Sequence, residues 1–148
     1  MKSLPILTLA LAGLFLTSCG TYERKWNQSV AEYKSGKITS PAGPWTGSWT
    51  TASNGHTGDL RAIVTPATDE PGKYDFHYHA TWADIFSGAY KVRYPVTRRG
   101  GTYLANGEET LGIFGTFGHK ATITKNTFKA TYSSDKDDLG DFEMRRPE

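Results

Sequence analysis

The chain contains very little cysteine and has no large excess of charge of either sign. Cys19 is the only cysteine among 148 residues, so no disulfide can form within the chain. The formal net charge is +2 at pH 7, and it is +1 once residues 1–18 are left out, because they carry Lys2 and no acidic residue. A nucleic-acid partner needs a concentrated basic surface. These shortages exclude a disulfide scaffold and argue against a nucleic-acid partner.

Long apolar runs are also missing, apart from one at the N-terminus. This run, Leu4 to Leu16, follows Lys2 and is shorter than the roughly 20 apolar residues that a membrane span requires. A short apolar run after a positive charge is typical of a signal peptide. It ends in Leu16-Thr17-Ser18-Cys19, which resembles a bacterial lipobox. We therefore predict a lipoprotein signal peptide over 1–18; the alternative is an ordinary secretory signal in which Cys19 is incidental.

The lipobox resemblance implies that Cys19 becomes the new N-terminus and carries the lipid. Two acyl chains there would anchor the exported protein durably to the cell envelope, since a single chain gives only marginal membrane affinity. In Gram-negative lipoproteins an Asp after the cysteine resembles an inner-membrane retention signal. Here Gly20 takes that place, which favours the outer membrane over the inner one if the cell is Gram-negative.

Residues 19–43 are expected to join the lipid to the folded domain. A weak helical period covers 21–37, and Gly36 would end such a helix. Its apolar side chains are Trp26, Val30 and Tyr33. The pattern leaves two interpretations open, a short amphipathic helix and a partly ordered tether. After it, prolines and glycines favour a rigid linker without helical bonding.

From residue 44 to 148 the pattern changes to the alternation that is typical of β-strands. The clearest strand places five apolar or aromatic residues on one face: Tyr74, Phe76, Tyr78, Ala80 and Trp82. Turn signals recur about every 10–14 residues, as in an antiparallel meander. We count about eight strands on this spacing. Asn106-Gly107 fits either a hairpin turn or a bulge within one strand, and the bulge is favoured because a turn would leave two very short strands.

Aromatic residues make up 13% of this polar chain, and most of them alternate onto one face. The predicted inward rings are Trp45, Trp49, Phe76, Tyr78, Trp82, Tyr90, Tyr94, Phe117, Phe128, Tyr132 and Phe142. Closing the sheet removes both unpaired edges, and eight strands give an interior that side chains fill or that holds one small ligand. We therefore predict an all-β fold, a small antiparallel up-and-down β-barrel of about eight strands, preceded by a short N-terminal helix.

The first strand contains Gly47-Ser48-Trp49, which resembles the Gly-x-Trp motif of lipocalins. That resemblance implies a calycin-type barrel in which a basic residue on the last strand covers the tryptophan. Arg145 and Arg146 are the candidates, and we predict that one of them stacks on Trp49 as a structural lid. The chain departs from lipocalins in two ways, because it has no second lipocalin motif and no long helix after the barrel.

Residues that could carry chemistry are few. His77 and His79 share a strand face, so they could bind a metal together with His56 or His119. The polar side of the strand favours solvated histidines instead. The acidic loop containing Asp135, Asp137, Asp138 and Asp141 fails as an EF-hand because Leu139 takes a ligand position. With no nucleophile motif and no phosphate-binding glycine loop, we expect no enzyme, no catalytic residue, no cofactor and no metal.

Two functions therefore remain. The first is a membrane-anchored envelope lipoprotein whose barrel binds or carries a small apolar or aromatic molecule, and the second is a structural or interaction lipoprotein with a filled barrel that acts through its outer surface. The predicted ligand-binding residues are Trp49, Phe76, Tyr78, Trp82, Tyr90, Tyr94, Phe117 and Tyr132. An interior volume of roughly 300 Å³ or more, open at one end, would distinguish the first from the second. The sequence leaves the oligomeric state open.

Overall fold

A computed structural model describes the backbone of residues 5–82, 86–110 and 115–148, and the side chains within 20–81, 87–110 and 115–148. These residues form one helix and eight strands. Their bounds are α1 (Pro5–Lys34), β1 (Gly43–Thr51), β2 (Thr57–Pro66), β3 (Lys73–Trp82), β4 (Phe86–Arg99), β5 (Thr102–Thr110), β6 (Thr116–Ile123), β7 (Thr127–Ser134) and β8 (Leu139–Arg145). The side chains of the predicted lipobox, Cys19 included, lie outside the described residues. Nowhere in the described part of the chain is a helix long and apolar enough to cross a bilayer.

The eight strands form a closed barrel in which every strand pairs antiparallel with its neighbours along the chain. The barrel closes between its first and last strands, where Thr46 of β1 lies opposite Arg145 of β8. On its other side β1 pairs with β2, and Trp45 lies opposite Ala62 there. The predicted fold class, an up-and-down antiparallel barrel after a helix, is confirmed.

Alternation along the strands sends apolar side chains inward as the sequence predicts. In β7 and β8 every second residue is buried and its neighbours are exposed. Within the strands, a difference from the prediction lies at Asn106-Gly107. This pair belongs to a single strand, as expected, but pairs with Lys120 and His119 in unbroken register, so no bulge is present. The glycine is needed for packing instead, because a Cβ at Gly107 would overlap the ring of Tyr94.

Helix α1 packs on the outer wall of the barrel, which decides between the two interpretations of this segment. Tyr22 and Trp26 are buried against Ile63 of β2, which points outward. The helix ends at Lys34, and Gly36 adopts a φ of 76° just beyond it, as expected for a C-terminal cap. Residues 21–34 are therefore helical, and Gly36 lies just beyond the end of the helix as predicted.

The helix runs along β2 in the same direction as that strand. In the second half of α1, Tyr22 contacts His79, and the ring of Trp26 lies under the Arg61 guanidinium at 5.0 Å. Near its end, the ring of Tyr33 lies under the Arg146 guanidinium at 4.5 Å. The part of the helix from Tyr22 to Tyr33 thus runs along the barrel wall towards the end where β8 finishes.

Candidate ligand cavity

The barrel interior has two unlike halves. The half that holds the start of β1 and the end of β8 is tightly packed, and we call it the sealed half. Its fully buried side chains include Trp45, Val64, Phe76, Ile123 and Phe128. The ring centroids of Trp45 and Phe128 are 5.7 Å apart, and those of Phe76 and Phe128 are 6.2 Å apart. These distances are those of well-packed aromatic pairs, so the sealed half has no space for a ligand.

Arg146 closes the sealed half from outside. Its guanidinium lies over the Trp45 ring, 3.7 Å from the centroid, a cation–π geometry. Nη1 donates to the Pro44 carbonyl oxygen at 3.0 Å, and Nη2 donates to the Ala42 carbonyl oxygen at 2.8 Å and to Ser40 Oγ at 2.9 Å. Burial lowers the pKa of Arg146 to about 10, so it remains charged at neutral pH. One side chain therefore fastens the linker to the end of the barrel.

The predicted partner of this lid, Trp49, is wrong, and the strand register explains why. Arg145 pairs with Thr46, whereas Trp49 pairs with Phe142 further along β8. Arg146 therefore reaches Trp45 at the start of β1. The side chain of Arg145 is 75% exposed and takes no part in the lid. Trp49 lies towards the opposite end, where its Nε1 donates to the Thr81 carbonyl oxygen at 2.8 Å.

The other half, which we call the open half, encloses a cavity of about 440 Å³. It lies at the barrel end where β1, β3, β5 and β7 finish and where β2, β4, β6 and β8 begin. Its lining is mostly apolar and comprises Trp49, Thr51, Leu60, Ala80, Gly88, Ala89, Tyr90, Phe117, His119, Tyr132, Asp138 and Phe142. The volume falls within the range of small-molecule sites, roughly 300–1,000 Å³.

Aromatic rings form a continuous wall around this cavity. Tyr78 stacks on Tyr90 with centroids 5.1 Å apart, and it also contacts Phe142 at 5.5 Å. Phe142 in turn contacts Tyr132 at 5.3 Å. Burial raises the pKa of Tyr90, and it raises the pKa of Tyr132 to about 12 with a further contribution from the Asp138 carboxylate. The tyrosine hydroxyls are therefore neutral at pH 7 and serve as hydrogen-bonding groups.

His119 lies where the two halves meet. It is 5% exposed, and the Tyr94 hydroxyl lies 2.6 Å from its Nδ1. Burial lowers the pKa of His119 to about 4, so the ring is neutral at pH 7. The hydroxyl and Nδ1 form one hydrogen bond, and which of the two donates depends on the tautomer of the ring. The floor of the cavity is thus a neutral imidazole with a fixed orientation.

The structure brings together some of the predicted ligand-binding residues and separates others. Trp49, Tyr90, Phe117 and Tyr132 line the cavity. Tyr78 and Tyr94 support its floor through His119. Phe76 packs in the sealed half. The side chain of Trp82 lies outside the described residues.

Eight of the twelve lining residues were not predicted as ligand contacts, and three of these eight carry a ring or a charge: His119, Phe142 and Asp138. Alternation placed His119 and Phe142 inward, but His119 was considered only as a metal ligand and Phe142 only as core. Asp138 belongs to a loop, and no strand pattern could place its side chain at the cavity.

His77 and His79 face outward, as the alternation indicates, but they are covered by the helix. Tyr22 packs on both rings with centroids 4.9 Å away, and its hydroxyl donates to the His77 carbonyl oxygen at 3.3 Å. Burial lowers the pKa of both histidines, with Lys25 adding to the effect at His77 and Arg61 at His79. The interpretation as solvated histidines is therefore wrong. Among the described residues, no group of three His, Cys, Asp or Glu side chains is arranged to hold a metal ion.

A second depression, of about 530 Å³, lies over the wall formed by β5 to β8. Much of its rim consists of exposed polar side chains, including Glu108, Lys120 and Asp141. Such a surface would leave most of a small molecule in water, so the interior cavity is the better candidate site.

An eight-stranded antiparallel barrel with a preceding helix and an aromatic interior is consistent with a lipocalin-like fold. No protein-family model matches the chain, and a comparison with curated proteins finds no significant match. Function therefore has to be argued from the cavity itself.

Proposed function

We propose that this protein is an envelope lipoprotein, anchored through an acylated Cys19, whose barrel binds or carries a small apolar or aromatic molecule. The observation that carries the proposal is the cavity of about 440 Å³ in the open half. Its size, its mostly apolar lining and its few oriented polar groups are the usual features of small-molecule sites. The proposed role is binding or transport, without a catalytic step.

The two halves of the barrel interior contribute to binding in different ways. The sealed half supplies a rigid base, since Trp45, Phe76 and Phe128 are fully buried and pack against one another. The open half supplies ring faces for a planar or apolar body. A preformed wall costs little reorganisation when a ligand enters, which favours affinity.

The direction of α1 relates the cavity to the proposed lipid anchor. Tyr22 lies beside His77 and His79 in the half of β3 that leads to the open end, and Cys19 precedes Tyr22 by about one helical turn. A lipid on Cys19 would therefore lie at the same end of the barrel as the cavity mouth. This placement supports exchange of an apolar molecule between the cavity and the membrane surface.

The anchor is tested by metabolic labelling with a fatty acid in the native host. We expect label in the wild type and none in Cys19→Ser, with the wild type in the membrane fraction. Label-free wild-type protein would contradict the anchor while leaving the cavity proposal untouched.

Ligand binding is tested by mass spectrometry of small molecules extracted from protein purified from its native host, together with titration of an uncharged apolar fluorescent probe. Ala80→Phe places a ring in the cavity, so we expect loss of probe binding. Ala31→Phe is the matched control, because Ala31 is exposed on α1. An empty extract together with no probe binding by the wild type would contradict the proposal and favour the alternative, action through the outer surface.

A further inference from the structure

The charge on the described lining of the cavity is negative. Among the described residues that line it, Asp138 is the only one whose side chain is charged at pH 7, since His119 is neutral in its buried position. No Lys or Arg belongs to this described lining. Lys136, in the same loop as Asp138, is exposed, and its aliphatic chain lies beside Gly115.

A second carboxylate lies towards the open half, on β5. Glu109 alternates with Ala105 and Gly107 on the inward face of β5, is half-buried, and pairs with Phe117 of the cavity lining. Together with burial, its charge raises the pKa of the Tyr94 hydroxyl. Asp138 therefore places negative charge at the cavity, and Glu109 adds negative charge on the inward face of β5 beside the lining residue Phe117.

This arrangement discriminates between ligands by charge. Asp138 is half-buried beside an apolar, aromatic cavity, so a cation bound in that cavity is attracted to its carboxylate more strongly than it would be in bulk water. The faces of tyrosine, tryptophan and phenylalanine rings attract a cation as well. An anion meets repulsion from both carboxylates and finds no basic partner among the described lining residues.

We propose that the cavity selects organic cations with an aromatic or apolar body, such as arylalkylamines, over neutral and anionic molecules of the same shape. The ammonium group would lie near Asp138 and Glu109, and the ring would lie between Tyr90, Tyr132 and Phe142. The inference rests on the proposed function, because it assumes that the cavity takes a small molecule. It adds that the molecule is a cation and that Asp138 and Glu109 recognise its charge.

Calorimetric titration of the purified protein with three indoles of similar size tests the proposal. The probes are tryptamine, which is cationic at pH 7, the neutral indole-3-acetamide and the anionic indole-3-propionate. We expect tryptamine to bind about tenfold more tightly than the amide, which is the scale of one partly desolvated cation–π or ionic contact. The propionate should bind most weakly.

Asp138→Asn and Glu109→Gln should each reduce tryptamine affinity severalfold and change amide affinity by less than about twofold, since only a charge is removed. Asp141→Asn is the matched control, because Asp141 is exposed and faces away from the cavity. It should leave the preference unchanged.

Equal binding of tryptamine and the amide, or an unchanged preference in both carboxylate variants, would overturn the charge selection while the proposed function stands. Binding of the apolar probe with no binding of any indole would also overturn the charge selection and leave the proposed function standing. Failure of the probe as well, with an empty native extract, would overturn both proposals.

Discussion

The two ends of the barrel are built from similar strands and yet behave as opposites. At the sealed end, the C-terminal part of α1, the linker and the residue after β8 converge on Trp45, and Arg146 holds them together. At the open end, the cavity lining includes small residues such as Ala80 and Gly88. An eight-stranded barrel has a fixed cross-section, so the size of the inward side chains decides whether a level is filled. The interpretation as a ligand-binding barrel thus fits the open half, and the interpretation as a filled barrel fits the sealed half.

Truncating the tryptophan at each end compares the two halves directly. Trp45→Ala removes a fully buried ring and the surface beneath Arg146, and we expect a loss of about 3–5 kcal/mol in the free energy of unfolding. Trp49→Ala should cost about 2 kcal/mol, since Trp49 is only partly buried and already adjoins empty space. Urea unfolding monitored by circular dichroism measures both values. Trp45→Phe, which keeps a ring, is the fallback if the alanine variant does not fold.

Equal losses at the two positions would show that the open half is packed as firmly as the sealed half. The cavity would then have collapsed in solution, and the ligand proposal would lose its main support.

The sequence predicts the barrel well because strand alternation is a local property. Each inward residue from Leu60 to Met144 follows from its parity along a strand, and closure follows from the need to hide two edges. Strand parity does not give register between distant strands. Arg146 lies over Trp45 rather than Trp49 only because β1 and β8 meet with Thr46 opposite Arg145.

The covering of His77 and His79 was unpredictable for a related reason. The period of α1 shows which side of the helix is apolar, but no local pattern tells which part of the barrel wall it will cover. Tyr22 was also absent from the predicted helical stripe, although it is 2% exposed and contacts both histidines. The position of Asp138 at the cavity was unpredictable as well, since it depends on the conformation of the loop between β7 and β8.

His119, at the boundary between the halves, should make stability depend on pH. Its pKa is about 4 in the folded protein against 6.5 for an unperturbed histidine, so the unfolded chain binds more protons between these values. The stabilising effect of the neutral ring is complete above pH 6.5 and is lost as the pH falls towards 4. The difference corresponds to at most about 3 kcal/mol at 1.36 kcal/mol per pKa unit.

Urea unfolding of the wild type and of His119→Gln at pH 7 and pH 4.5 measures this effect. Glutamine is similar in size, can still bond the Tyr94 hydroxyl and does not titrate. Acidification should destabilise both proteins to the same extent through their carboxylates. The wild type should lose additional stability, because only the wild type contains His119. Equal losses would mean that His119 is solvated, and the cavity floor would then be wet.

Arg146→Lys tests the closure of the sealed half. Its expected effect on the free energy of unfolding is smaller than the effects expected for Trp45→Ala and for acidification at His119. Lysine keeps a positive charge near Trp45. It lacks the planar guanidinium group that donates hydrogen bonds to Pro44, Ala42 and Ser40 at the same time. Buried carbonyl oxygens left without a donor should cost about 1–2 kcal/mol in the free energy of unfolding.

The matched control is Arg145→Lys, at the neighbouring residue whose side chain is 75% exposed, and it should change stability by less than about 0.5 kcal/mol. Because Arg146 is not one of the described residues that line the cavity, the lysine variant should also bind the apolar probe as the wild type does. Loss of probe binding together with a small loss of stability would show that the two ends are coupled, and that closure at one end sets the width of the cavity at the other.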